Sequence, residues 1–350
     1  MNRRSTARMA LAALAAAASI GAGTISAVAD SPAALEVAVP TATAPDGSFI
    51  ENIESTGDRT LRLTVHSAAM NRSFPVDVLR PADISEARPT LYLLNGAGGG
   101  VDDASWQLRT DALDFLSDKN VNVVQIIGGA WTWYTDWIAP DPVLGVNKWS
   151  TYIGRELPPL IDAALGTNGV NAIAGLSMAG LPVLNSVIFD PGLFRSAAVY
   201  SGLMQTTTPL GRRSVKLVTE TYGRGDVANM WGSDDDPLWA ANDPTLNAEK
   251  LRGTHLFIAT GNGIPGIYDL PGARGRMETD ALETAGTVAL GAVIEAGVDA
   301  STRAFQHRLE ELNIPATFVY RTSGTHTWGY WQDDFKASWP VLAQGLYSAP

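Results

Sequence analysis

An α/β architecture, with one mostly parallel sheet covered by helices on both faces, is what this sequence predicts. Three observations carry that expectation. Short apolar runs bounded by turn residues recur along the chain, helical stretches separate them, and one run passes through a tight small-residue turn directly into a helix at Asn171–Ile188.

In chain order, residues 30–55 read as an extended lead-in. Thr60–His66 alternates apolar and polar residues like a half-buried strand, and Phe74–Leu79 is its expected neighbour. Pro89–Leu94 is a compact apolar strand that runs into Asn95-Gly96-Ala97-Gly98-Gly99-Gly100, after which Ser105–Ser117 suits a helix. Val121–Ile127 is a further buried strand ending at Gly128-Gly129. Trp131, Trp133, Tyr134 and Trp137 come next, followed by a helix over Trp149–Leu165. Ser196–Tyr200 and His255–Thr260 continue the strand series. A long helix over Met277–Leu312 precedes the strand Ala316–Arg321, and Phe335–Leu346 closes the chain as a helix. No internal repeat or linker-like break divides residues 30–350, which read as one domain. Ligands of such sheets gather beyond the carboxyl ends of the strands. Three loops are expected there: Asn95–Gly100, the turn at Ser177, and Ser323–Trp328.

The turn itself is Gly175-Leu176-Ser177-Met178-Ala179-Gly180. A strand, a sharp turn with serine at its apex and a helix form the nucleophile elbow of an α/β-hydrolase. Its neighbours must be small for strand and helix to approach; Ala179 fills the plus-two position usually given to glycine, and Gly180 follows it.

Composition bounds the surroundings. The chain has 350 residues, 45% hydrophobic and 17% charged, which is enough apolar material for a substantial core. Arg3, Arg4 and Arg8, an apolar alanine-rich run and Ala27-Val28-Ala29 make residues 1–29 a secretory signal peptide, cleaved near Ala29. Its loss removes three of the 25 basic residues and none of the 36 acidic ones, leaving a net charge of −14. Such a surface is a poor partner for nucleic acid. Cysteine is absent, which excludes a thiol nucleophile, a cysteine zinc site and an iron–sulfur cluster. No metal or cofactor is expected, and the mature chain is expected to be a monomer.

A serine nucleophile needs a base, and the base needs an orienting acid. Of four histidines, His66 lies within a strand, His255 begins one and so lies at the wrong end, and His307 falls in a helix. His326, on the loop Gly324-Thr325-His326-Thr327-Trp328, follows the last strand and obeys the order serine, acid, histidine. The acid belongs between the strand His255–Thr260 and His326. Asp269, Glu278, Asp280, Glu283, Glu295, Asp299, Glu310 and Glu311 are the candidates, most of them solvated helix faces. Glu295 stands out in Gly291-Ala292-Val293-Ile294-Glu295-Ala296-Gly297-Val298, where an ionised side chain is costly without a partner. Asp269, soon after the strand, is its rival, and residue order alone leaves both open. The oxyanion needs two backbone amides, expected from Met178 and from Ala97 in the glycine-rich loop. That loop lacks the Gly-Lys-Ser/Thr of a phosphate loop.

These residues resemble the mycolyltransferases of mycolic-acid-bearing actinobacteria, the antigen 85 type within the esterase D-like α/β-hydrolases. The likeness runs from about Leu61 to Leu346. Besides the elbow it includes Tyr92-Leu93-Leu94-Asn95-Gly96, Tyr134-Thr135-Asp136-Trp137, Lys148-Trp149 with Glu156-Leu157-Pro158, and Met230-Trp231-Gly232. Further on come Asp236-Pro237-Leu238-Trp239 with Asn242-Asp243-Pro244-Thr245, Gly261-Asn262-Gly263, and Gly324-Thr325-His326-Thr327-Trp328 with Tyr330-Trp331. The resemblance implies mycolyl transfer between trehalose esters or onto cell-wall arabinogalactan, in peripheral contact with the mycolate layer. It carries the catalytic serine, glutamate and histidine onto Ser177, Glu295 and His326, and the second oxyanion amide onto Ala97. Two departures stand out. Mycobacterial members have Asp-Gly-Leu-Arg where this chain has Asn95-Gly96-Ala97-Gly98, and the stretch between Leu270 and Gly291 is longer here. The loop is closer to the corynebacterial branch. Asn95 is then expected to hydrogen-bond a sugar hydroxyl as a neutral group. Trp137 and Trp328, with Trp131, Trp133 and Trp231, are the candidates for sugar stacking or acyl lining, core packing being the alternative. Two other readings stand beside it: a carboxylesterase with the same triad, and a wall-binding or adhesion protein on a hydrolase scaffold.

Overall fold

The structure, a computed structural model, describes residues 42–273 and 281–347. The leader expected at 1–29 lies outside the described residues, as do Glu278, Asp280 and the side chain of Glu283. Nine strands form a single sheet: β1 (Phe49–Ser55), β2 (Thr60–Ser67), β3 (Arg72–Leu79), β4 (Thr90–Leu94), β5 (Asn122–Ile126), β6 (Asn171–Leu176), β7 (Phe194–Tyr200), β8 (His255–Thr260) and β9 (Thr317–Tyr320). Their spatial order is β1-β2-β3-β5-β4-β6-β7-β8-β9. The pairs from β1 to β3, and β3 with β5, are antiparallel, and every pair from β5 onward is parallel.

Residue chemistry explains the division. Every residue of β4, β5 and β6 is buried, as expected of parallel strands covered on both faces. Tyr92 and Leu94 of β4 enter one core with Ile173, Val183 and Leu184, while Leu91 and Leu93 enter the opposite core with Ala172, Ala174 and Phe335. The pleat thus feeds two hydrophobic layers from one strand. β2 and β3 keep the alternation of half-solvated antiparallel strands.

Four boundaries differ from expectation. β1 forms where a lead-in was read; only Ile50 in it is buried, so it has no two-residue apolar period to detect. The helix expected at Ser105–Ser117 divides into Trp106–Arg109 and Ala112–Leu116, because Thr110 is extended and bonds its hydroxyl back to the Trp106 carbonyl. The Trp149–Leu165 helix contains a π-helical turn at Tyr152–Glu156 before the regular segment Leu157–Leu165. The closing helix, Trp328–Tyr347, starts earlier than expected and carries Pro340 within it. The long helix spans Ala281–Glu311. Among the described residues no helix is long and apolar enough to cross a membrane.

Candidate active site

Ser177 follows the last residue of β6 with φ +55°, a left-handed conformation that a non-glycine residue adopts only under constraint. The constraint is visible in its neighbours. A methyl on Gly175 would meet Ala179 Cβ and Val183 Cγ2 at 2.9 Å, and one on Gly180 would meet Gly202 Cα at 2.6 Å. Strand and elbow helix (Gly180–Phe189) therefore close on each other, and the serine is pushed outward at the turn.

His326 lies on the loop between β9 and the closing helix. Its Nε2 is 2.7 Å from Ser177 Oγ, and its Nδ1 is 2.8 Å from Glu295 Oε2. The ring stands edge-on against Trp331, with centroids 4.8 Å apart. Glu295, on the long helix, is fully buried. Its Oε1 accepts from Ser201 Oγ at 2.6 Å, the Gly261 amide at 2.6 Å, Thr260 Oγ1 at 3.1 Å and Arg321 Nη2 at 3.2 Å. Burial opposes ionisation of this carboxyl most strongly. The hydrogen bond and charge of His326, the charge of Arg321 and the Ser201 hydroxyl outweigh burial and hold Glu295 below its ordinary value. One oxygen thus collects donors while the other is left for the imidazole. Glycine allows the approach: a methyl on Gly291, one turn before Glu295, would sit 3.1 Å from the His326 amide nitrogen.

Asp269 occupies a different place. It accepts from Tyr330 Oη at 2.7 Å, from the Gly266 amide at 2.8 Å and from the hydroxyl of Thr325, the residue before His326. It therefore braces the histidine loop, whereas Glu295 faces the imidazole. His66 stacks on Phe49, and His307 sits on an exposed helix face beside Glu311.

A cavity of about 440 Å³ opens on Ser177 and His326, and both Ala97 and Met178 line it. The Ala97 carbonyl accepts from the Trp131 amide at 2.8 Å, which ties the glycine-rich loop to the aromatic segment. Trp131, Trp133 and Tyr134 all have positive φ, so this segment is strained beside the site. Trp131 and Trp133 line the cavity.

Three expected substrate contacts lie elsewhere. Asn95 is fully buried; its Nδ2 donates to the Ile126 carbonyl and its Oδ1 accepts from the Trp106 amide, each at 3.2 Å. The side chain thus joins the end of β5 to the start of a helix instead of facing the cavity. Trp137 is buried with Nε1 on the Thr132 carbonyl at 3.1 Å. Trp328 is half-buried and packs edge-on against Trp106 and Trp331 at the margin of the second core, away from the cavity lining. Trp231 is also core, packed on Trp239.

The apolar wall leaves no distinct mark in the sequence. Leu210 on the helix Pro209–Lys216 and Leu217, Val218 and Tyr222 on the π-helical turn Leu217–Tyr222 form one side. Leu290, Val293, Ile294 and Val298 form the other. Their spacing of three and four residues is a helical stripe, yet Val293 is 73% exposed, so the stripe borders an opening.

The sheet order, the elbow and the histidine after the last strand define an α/β-hydrolase. A family model described as "Putative esterase" matches residues 67–342. Diacylglycerol acyltransferase/mycolyltransferase Ag85B of Mycobacterium leprae (strain TN) is 31% identical over 295 residues, covering 82% of this chain and 84% of that protein. Ag85A of Mycobacterium tuberculosis (strain ATCC 25618 / H37Rv) is 30% identical over 298 residues, covering 82% of each. The crystal structure of Mycobacterium tuberculosis MPT51 (FbpC1) shares the fold, with a TM-score of 0.67 at 24% identity over 81% of this chain and 97% of that one. The chain belongs to the antigen 85-type mycolyltransferase family of esterase-like α/β-hydrolases.

Proposed function

We propose that this chain is a secreted serine acyltransferase that moves mycolyl groups between trehalose mycolates, or onto cell-wall arabinogalactan. The observation that carries the reading is the apolar cavity opening on a serine hydroxyl 2.7 Å from an imidazole nitrogen. His326 Nε2 takes the Ser177 proton as Oγ attacks the ester carbonyl carbon. The amides of Ala97 and Met178 stabilise the oxyanion, and Glu295 stabilises the imidazolium. The sugar oxygen then leaves with the proton held by His326, so the acyl chain is esterified to Ser177. A second sugar hydroxyl gives its proton to His326 and takes the acyl group by the reverse steps. An acyl chain laid along the apolar walls favours transfer over hydrolysis by covering them and displacing water from the acyl ester. The signal-peptide pattern read in residues 1–29 favours export, and the exposed apolar rim favours peripheral contact with a mycolate layer.

Incubation with trehalose monomycolate, followed by thin-layer chromatography, tests the reading. A new trehalose dimycolate band that is lost in Ser177→Ala is expected; free acid alone would favour a carboxylesterase, the reading that the family model's description supports. A protein that a serine-directed phosphonate fails to label would instead be a binder on a hydrolase scaffold.

A further inference from the structure

Arg321 directly follows β9, and its side chain is 14% exposed. Its Nη2 lies 3.2 Å from Glu295 Oε1 and 3.4 Å from Ser201 Oγ. Its Nη1 donates to Asp334 Oδ2, on the closing helix, and Asp334 is 3% exposed. The guanidinium carbon is 5.1 Å from the centre of the Tyr330 ring, whose hydroxyl donates to Asp269. One cation therefore stands between two buried carboxylates from different helices and under the ring that holds the brace of the histidine loop. A buried carboxylate is costly to keep charged, and a cation of this kind offsets that cost alongside hydrogen-bond donors.

We propose that Arg321, pinned by Asp334, is a positioning residue for Glu295. It holds Oε1 so that Oε2 alone faces His326, and it supplies the positive charge that stabilises the ionised form of Glu295. The role rests on the reading above that Glu295 orients the general base. The ionisable groups facing this cluster are His326 on its loop, Asp333, Asp334 and Tyr330 on the closing helix, and Asp269 after β8. Glu295 itself comes from the long helix. Removing a cation from such a cluster makes proton uptake easier at every site in it. The acid limb of reactivity must therefore move to higher pH. Looser packing alone lowers reactivity at every pH and leaves the limb in place.

The test is the pH dependence of Ser177 inactivation by a fluorophosphonate, which needs no acyl acceptor and so is independent of whether sugar or water takes the chain. Wild type is compared with Arg321→Lys, Arg321→Met, Asp334→Asn, and Arg321→Met combined with Asp334→Asn; the last leaves no unpaired carboxylate at 334 if the single Met variant fails to fold. Expected is an acid limb raised by about half a pH unit or more in Arg321→Met over wild type, and in the double variant over Asp334→Asn alone, pairs that differ only by the cation, with about tenfold slower inactivation at the plateau. Arg321→Lys should stay on the wild-type limb. An Arg321→Met variant whose limb coincides with wild type, or, should that variant not fold, a double variant whose limb coincides with that of Asp334→Asn, would overturn the role of Arg321 at whatever plateau. A wild type that the probe does not label would overturn the nucleophile itself, and with it the reading on which this role rests.

Discussion

Replacing Glu295 with Gln removes one charge while keeping shape, and the contacts dictate how the amide must sit. Besides the Ser201 and Thr260 hydroxyls, the Oε1 position faces the Gly261 amide and the Arg321 guanidinium, which can only donate, so the carboxamide oxygen must occupy it. The NH₂ is then forced to the Oε2 position, 2.8 Å from His326 Nδ1. An NH₂ there donates to Nδ1, which places the ring proton on Nε2, the nitrogen 2.7 Å from Ser177 Oγ. A protonated Nε2 cannot accept the serine proton. The same tautomer reversal in other serine enzymes costs about 10⁴ in turnover, or about 5 kcal/mol of barrier. We therefore expect Glu295→Gln to lower kcat for a soluble p-nitrophenyl ester by about 10³–10⁴, with KM nearly unchanged. Steady-state kinetics at neutral pH measure both. A loss of less than tenfold in a variant that melts as a folded protein would refute the assignment of Glu295 as the orienting acid.

Three further outcomes are expected. Asp269→Asn weakens the anchor on Thr325 and Tyr330; kcat should fall about tenfold while melting changes little, and an unaltered kcat would mean that the His326 loop needs no brace. Asn95→Ala leaves the Ile126 carbonyl and Trp106 amide unpaired in a buried place, so stability should drop by about 2–4 kcal/mol in urea titration. If acceptor-sugar KM rises instead with stability intact, Asn95 meets substrate after all. Val293→Glu puts a charge on the cavity rim and removes contact with about two acyl methylenes, at roughly 0.8 kcal/mol each. Long-chain esters should then lose about tenfold in kcat/KM and butyrate esters should not; equal losses would deny an acyl path there.

Legibility in the sequence follows burial. β4, β5 and β6 are buried on both faces, so their apolar runs are continuous and bounded by turn residues. β1 leaves no such trace because it buries Ile50 alone. Ser177 and His326 are readable from chain order and small neighbours. Glu295 is conspicuous because a carboxylate in an apolar helical stretch needs partners, but which partners it has depends on loops far away in sequence. Asn95 and Trp137 show the opposite limit. A polar or aromatic residue in a family motif looks the same whether it faces a ligand or secures a turn, and only the distances to Ile126, Trp106 and Thr132 separate the two. Arg321 belongs to this class as well, since its meaning lies in Glu295 and Asp334, which reach it from separate helices.

A methyl at 175 would lie 2.9 Å from both the methyl of Ala179 and Cγ2 of Val183, so position 175 has no room for a side-chain carbon while those two stand. Among relatives, alanine at the later position should therefore always be accompanied by glycine at the earlier one, whereas glycine at the later position is free to appear. The constraint runs one way: the turn can lose the methyl at 179 but cannot gain one at 175.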